Sequence, residues 1–318
     1  MLFDYLIFFA GVVMLVAGAW ALVAGGSRLA SALGVPPILV GLTVVAWGTS
    51  VPELVVSMMA AARGSSGMML GNIMGSNVAN VGLILGTAAL MMSPPNDRSL
   101  WRLELPALLL GTALFAVFCL NGVLGRAEGM ILMALFAWVT FRTISSGLQK
   151  GRVNRQTQEA ESEHSPSDAD RGIIIAVTLT VVGAAALVVG GKWIVDSATR
   201  IAAQLGASEV VIGLTLVAVG TSLPELATTL VAAMRRESGI ALGNVVGSNL
   251  FNLLAVGGPV AVWKTVDVDP SLMTREIPSL GIMTLALVAV TLTRHRINRV
   301  AGVFLIVLYA AMVTWWIA

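Results

Sequence analysis

GTSVPEL, Gly48 to Leu54, decides the reading of this chain. It lies within GLTVVAWGTSVPELVVSMMAA, residues 41–61, an almost wholly apolar stretch long enough to cross a bilayer, yet with a proline and a glutamate near its middle. Pro52 has no N–H to offer the carbonyl of Gly48, its ring clashes there, and Gly48 itself weakens the turn, so the helix is expected to break. Irregular backbone at membrane depth is tolerated only where it lines a cavity or is buried in protein. Freed carbonyls, the hydroxyls of Thr49 and Ser50 and the carboxylate of Glu53 then put several oxygen ligands within one turn, a set that suits a hard cation such as calcium or sodium. Taken alone, Thr49 and Ser50 are better explained by backbone satisfaction beside a proline kink. Glu53 is not, because an ionisable side chain at the centre of a span costs at least about 2.5 kcal/mol.

Composition places the stretch in a polytopic membrane protein. Of 318 residues, 57% are hydrophobic and only 11% charged, and the mean hydropathy is +0.89. With Cys119 as its single cysteine, the chain cannot form an internal disulfide, and His164 and His295 fall in polar connections, so thiol or imidazole chemistry within the membrane is not expected. The fold class is all-α, with spans expected at about 4–24, 37–62, 69–92, 103–121, 127–147, 172–196, 209–234, 239–263, 277–293 and 298–317. The first lacks a basic leader and reads as a retained span rather than a signal peptide. Residues 149–172 are rich in Gln, Glu, Ser, Asp and Arg and read as a flexible linker; Asp168 and Asp170 there lack the spacing of a calcium loop.

Internal repetition organises the rest. GTSVPEL returns as GTSLPEL at Gly220 to Leu226, and residues 37–86 align with 209–258 without a gap at about half identity. Five spans separate each helix from its copy, and an odd number inverts the second copy. Two inverted five-helix repeats are therefore expected, residues 1–148 and 172–318, joined by the linker at 149–171. Thirteen of the nineteen Lys and Arg residues fall in loops after odd-numbered spans, which by the positive-inside rule puts the linker in the cytoplasm and both termini outside the cell membrane. The net charge of +2 is explained by these loops, and no nucleic-acid partner is expected.

Glu225 repeats the cost of Glu53. No Lys or Arg sits at comparable depth; Lys192 lies near the outer end of its span, where Asp196 is within i, i+4 reach. The two carboxylates must therefore bind a mobile cation, hold a proton, or do both in turn. In the third span, Asn72, Ser76 and Asn80 share one helix face, as do Asn244, Ser248 and Asn252 in the eighth. Asn72 and Asn244, nearest the helix starts, either cap and bridge helices or contribute ligands; Ser76, Asn80, Ser248 and Asn252 lie deeper and are the better ligands. Met58, Met59, Met68, Met69, Met91 and Met92 have no Cys or His alongside and read as packing rather than a soft-metal site. Such a chain is expected to be a transporter, with a channel of similar oxygen ligands as the alternative that would need no inverted repeat, and not an enzyme, because an intramembrane active site would need a catalytic base where the sequence has Asn and Ser.

The paired words GTSVPEL with GNIMGSNVAN, and GTSLPEL with GNVVGSNLFN, resemble the alpha repeats of the cation/calcium exchanger superfamily, in its sodium/calcium exchanger branch and prokaryotic relatives. The resemblance implies an antiporter that exchanges sodium for calcium by alternating access at a mid-membrane site holding one calcium or about three sodium ions in turn. It implies carboxylate ligands at Glu53 and Glu225 and hydroxyl ligands at Thr49, Ser50, Thr221, Ser222, Ser76 and Ser248. Amide ligands at Asn80 and Asn252 and backbone carbonyls at Ala46 and Ala218 complete the implied set. Some members, including potassium-dependent ones, carry Asp where this chain has Asn252. A calcium/proton or other cation antiporter on the same scaffold is the alternative, although that branch usually shows GNxxE in place of GTSxPE. No cofactor and no obligatory protein partner are expected, only calcium, sodium and the lipid bilayer.

Overall fold

A computed structural model describes residues 2–94, 97–159, 166–205, 220–292 and 296–317. They are almost all helical: α1 Leu2–Leu33, α2 Pro37–Thr49, α3 Val51–Ala62, α4 Ser66–Met92, α5 Glu104–Cys119, α6 Arg126–Glu159, α7 Pro166–Gln204, α8 Leu223–Met234, α9 Ser238–Trp263, α10 Glu276–Leu292 and α11 Arg299–Ile317. Short 3-10 helices, Arg98–Arg102 and Pro270–Met273, precede α5 and α10, and Val123–Leu124 (β1) pairs antiparallel with Val266–Asp267 (β2).

Among the described residues, seven helices are long and apolar enough to cross a membrane, and the bent pair α2 and α3, turned by 43° at its break, makes an eighth. Two further expected spans meet shorter apolar helices: α5 has 16 residues, and α8 has 12, the residues before Gly220 at that span lying outside the described set. The expected linker, residues 149–171, is described up to residue 159 and again from residue 166. Helix α6 runs on to Glu159 and α7 already starts at Pro166, because a helix nucleated in the bilayer gains one backbone bond for each residue added and needs no core to propagate.

Helices α4 and α9 are innermost, with 72% and 83% of their most apolar windows buried, against 33% or less for α1, α6, α7 and α11. Those outer helices turn Phe9, Trp138, Phe141, Val181 and Val307 outward, as helices solvated by hydrocarbon do. Helices α1 and α7 pack antiparallel over most of their length: Gly11 faces Gly190, Gly18 faces Gly183 and Gly25 faces Thr180. At Gly18 a β-carbon would lie 2.8 Å from the amide nitrogen of Leu187 and 2.9 Å from the carbonyl oxygen of Gly183, so only glycine permits this approach. An ion pair of 2.7 Å between Arg200 and Asp4 ties one end of the pair. Among the described residues no ion pair joins Lys192 to Asp196; both are exposed, where such a pair gains little.

Contacts recur at a fixed interval. Thr112 and Thr284, 172 residues apart, share a buried hydrogen bond of 3.3 Å, and the same interval separates the two GTS words. Asp97 and Asp269, again one interval apart, each cap a 3-10 helix by accepting the N–H of Ser99 or Ser271 at 2.8 Å. That backbone bond from Ser271 holds the Asp269 carboxyl below the usual carboxylate range.

Candidate functional site: two carboxylates between the inner helices

The site begins at the break the sequence demands. Helix α2 stops at Thr49, Ser50 leaves helical geometry with φ −91° and ψ 9°, and α3 restarts with Pro52 in its first turn, where a missing N–H is harmless. Ser222 repeats this with φ −87° and ψ 6° ahead of α8, with Pro224 in its first turn. Each break sets its glutamate in the first turn of the new helix, and both Glu53 and Glu225 are 1% exposed.

Hydrogen bonds then cross between the two copies of the repeat. Ser50 Oγ donates to Glu225 Oε1 at 2.7 Å, and Ser222 Oγ donates to Glu53 Oε1 at 3.4 Å. Thr49 Oγ1 lies 3.2 Å from Asn244 Oδ1, and Thr221 Oγ1 lies 3.3 Å from Asn72 Oδ1. The asparagines in turn donate to the hydroxyls of Ser57 and Thr229, each at 2.9 Å, and to the backbone carbonyls of Glu53 and Glu225 at 3.1 and 3.4 Å. Asn72 and Asn244 are therefore bridges that fix the broken helices. Their partners Ser57 and Thr229 were missed in the sequence, although both are hydroxyl residues one interval apart.

What remains unsatisfied is as informative as what is bonded. Glu53 Oε2, Glu225 Oε2, Ser76 Oγ, Ser248 Oγ and both side-chain polar atoms of Asn80 and Asn252 are buried with no hydrogen-bond partner. Asn77, Thr228 and Asn249 also carry such atoms and stand on the same helices, α4, α8 and α9. Buried polar atoms are otherwise almost always paired, and each unpaired one costs about 1–3 kcal/mol. Helical geometry helps present them: α4 and α9 widen into π-helical turns over Asn80–Leu85 and Phe251–Val256, which contain Asn80 and Asn252.

Neither carboxylate has a Lys or Arg partner among the described residues, and no group of three or more His, Cys, Asp or Glu occurs there. The donors available to a cation are hence two carboxylates with neutral hydroxyls and amides, hard oxygen chemistry with little fixed charge. Two expected ligands stand apart. The Ala46 carbonyl already accepts from Ser50 N at 3.0 Å and lies 3.2 Å from Thr49 Oγ1, and Ala218 lies outside the described residues. The methionines pack as expected or face outward: Met69 is fully buried, Met58 packs against the core, and Met59, Met68 and Met91 are exposed.

Comparison with known proteins shows the family of the chain. Residues 3–144 and 175–318 match the family model described as sodium/calcium exchanger protein. The chain is 34% identical to a putative antiporter, CaxA, of Alkalimonas amylolytica, with 94% of each chain covered. It is also 34% identical to the sodium/calcium exchanger MaX1 of Methanosarcina acetivorans, with 97% of each covered, and 33% identical to the inner membrane protein YrbG of Escherichia coli, covering 87% of this chain and 85% of the other. Among solved structures, the sodium-calcium exchanger NCX_Mj, soaked with sodium and calcium, superposes with a TM-score of 0.85 at 29% identity, covering 99% of this chain and 98% of that one.

Proposed function

Since this chain belongs to the sodium/calcium exchanger protein family of membrane cation antiporters, we propose that it exchanges sodium for calcium at the cluster around Glu53 and Glu225. The carrying observation is a set of buried oxygen atoms without partners, gathered about two carboxylates that no basic residue neutralises. Ser76, Ser248, Asn80 and Asn252 complete the ligand set, with Thr49, Ser50, Thr221 and Ser222 placing and sharing in it. Ala46 and Ala218 are backbone ligands in this proposal, Ala46 only once its present donors turn away.

Charge gives the mechanism. Two carboxylates balance one calcium, whereas three sodium ions leave one positive charge in excess, so a three-to-one cycle moves net charge and responds to membrane potential at about 2.3 kcal/mol per charge per 100 mV. The empty site, with bare carboxylates in low dielectric, is too costly to reorient, and that enforces exchange in place of leakage. The chain is organised as two inverted five-helix halves, residues 1–148 and 172–318, making ten spans with the linker at 149–171 cytoplasmic and both termini outside. Alternating access follows as the α1 and α7 pair slides past the inner helices, the two halves supplying near-equivalent inward and outward states.

Purified protein in sealed, sodium-loaded vesicles should take up calcium down the outward sodium gradient. Uptake driven by a proton gradient with sodium absent would assign the carboxylates to proton coupling instead, and bidirectional flux at channel rates without a gradient would refute exchange.

A further inference from the structure

At the membrane face where α4 and α8 end and α9 begins lies a cavity of about 630 Å³ whose lining includes Met91, Met92, Met234, Arg236, Ser238 and Arg296. We propose that this cavity binds the phosphate headgroup of an anionic phospholipid, held by Arg236 and Arg296 with its acyl chains against the methionines.

Three observations meet there. First, the two guanidinium groups come from different connections, after α8 and before α11, are exposed, and have no hydrogen-bond or ion-pair partner among the described residues. Glu237, the nearest acid in sequence, is engaged elsewhere, accepting from Ser27 Oγ at 2.6 Å. Second, Ser238 opens α9, a helix whose first N–H groups have no acceptor within it and which therefore favours an anion at that end. Third, Arg236 holds φ +59°, a backbone conformation that penalises any side chain with a β-carbon. The equivalent residue of the first repeat is Gly64, at φ +75°, which adopts it freely. There Lys264 Nζ donates to the carbonyl of Ala61 at 2.9 Å and closes the helix end, while the position matching Lys264 is Met92 on the cavity wall. One half of the molecule thus spends its cation on its own backbone; the other leaves two arginines open beside apolar surface.

The apolar wall selects a lipid over a soluble anion. Met91 and Met234 are 46% and 61% exposed at the ends of their helices, and Arg235 stacks over Trp20 at 5.1 Å beside them, an aromatic and basic pairing of the kind found at the headgroup level.

Native mass spectrometry of the full-length protein in detergent, with phosphatidylglycerol and phosphatidylcholine supplied at equal concentration, tests this. One phosphatidylglycerol adduct should persist at activation energies that strip phosphatidylcholine, and Arg236→Gln with Arg296→Gln should reduce it at least tenfold. Arg236→Gly alone should weaken it as well while relieving the backbone, so lost binding there cannot be ascribed to misfolding; Arg152→Gln, elsewhere on the same face, should leave it intact. Equal retention by the double variant would overturn the site, and displacement of the adduct by millimolar inorganic phosphate would overturn the lipid assignment.

Discussion

Glu225→Gln removes one charge and little else. The amide keeps an oxygen for Ser50 Oγ, now 2.7 Å from Glu225 Oε1, and its volume matches the carboxylate it replaces. Because Glu225 is 1% exposed, an effective dielectric of about 20 is a conservative value, and a unit charge about 4 Å away then contributes about 4 kcal/mol, or about 8 kcal/mol toward a divalent cation. At about 1.4 kcal/mol per tenfold change, that corresponds to nearly six orders of magnitude in calcium affinity, and uptake into sodium-loaded vesicles should fall to background. A second readout separates binding from folding. Calcium at about a hundred times its dissociation constant stabilises the native state by about 2.7 kcal/mol, so the parent protein should melt higher with calcium and the variant should not, while its melting temperature without calcium is unchanged or higher. A variant that folds, retains uptake within tenfold of the parent and keeps the calcium-induced rise would refute the assignment of Glu225 as a ligand.

Asn244→Ala removes the donor to Thr229 Oγ1 and to the Glu225 carbonyl; it should destabilise the protein by about 1–3 kcal/mol, and thermal unfolding should detect the loss. Asn72→Ala should do the same in the other half. Gly18→Val drives a side chain into the backbone of α7, with an expected cost of about 1–3 kcal/mol and slower exchange at unchanged calcium affinity, read from initial rates against calcium concentration. For three-to-one exchange in sodium-loaded vesicles, an inside-positive potential set by an ionophore should speed calcium uptake and an inside-negative one should slow it; indifference to potential would exclude that stoichiometry.

Much of the site was legible in the sequence because its chemistry conflicts with its surroundings. Proline and glutamate in the middle of an apolar span have few physical explanations, and their exact return one interval later removed most of those. Glu53, Glu225, Ser76, Asn80, Ser248 and Asn252 are buried and polar for that reason. The bridging role of Asn72 and Asn244 stayed ambiguous until Ser57 and Thr229 were seen to accept from them, since helix periodicity does not say which neighbouring helix a face meets. The π-helical turns at Asn80–Leu85 and Phe251–Val256 were not legible either, because one extra residue in a turn leaves no trace in an apolar pattern. Polar composition likewise concealed the helical extension of α6 and α7, where propagation from a membrane span outweighs the lack of a core.

The bonds from Ser50 to Glu225 and from Ser222 to Glu53 run only between copies of the repeat. A half-length chain carrying one copy would therefore bear a carboxylate lacking its hydroxyl donor and a hydroxyl lacking its acceptor. It would repair both only by meeting a second such chain. Duplication and fusion turn that encounter between strangers into a covalent certainty, and free each half to diverge, as the lysine-sealed and arginine-open helix ends have done.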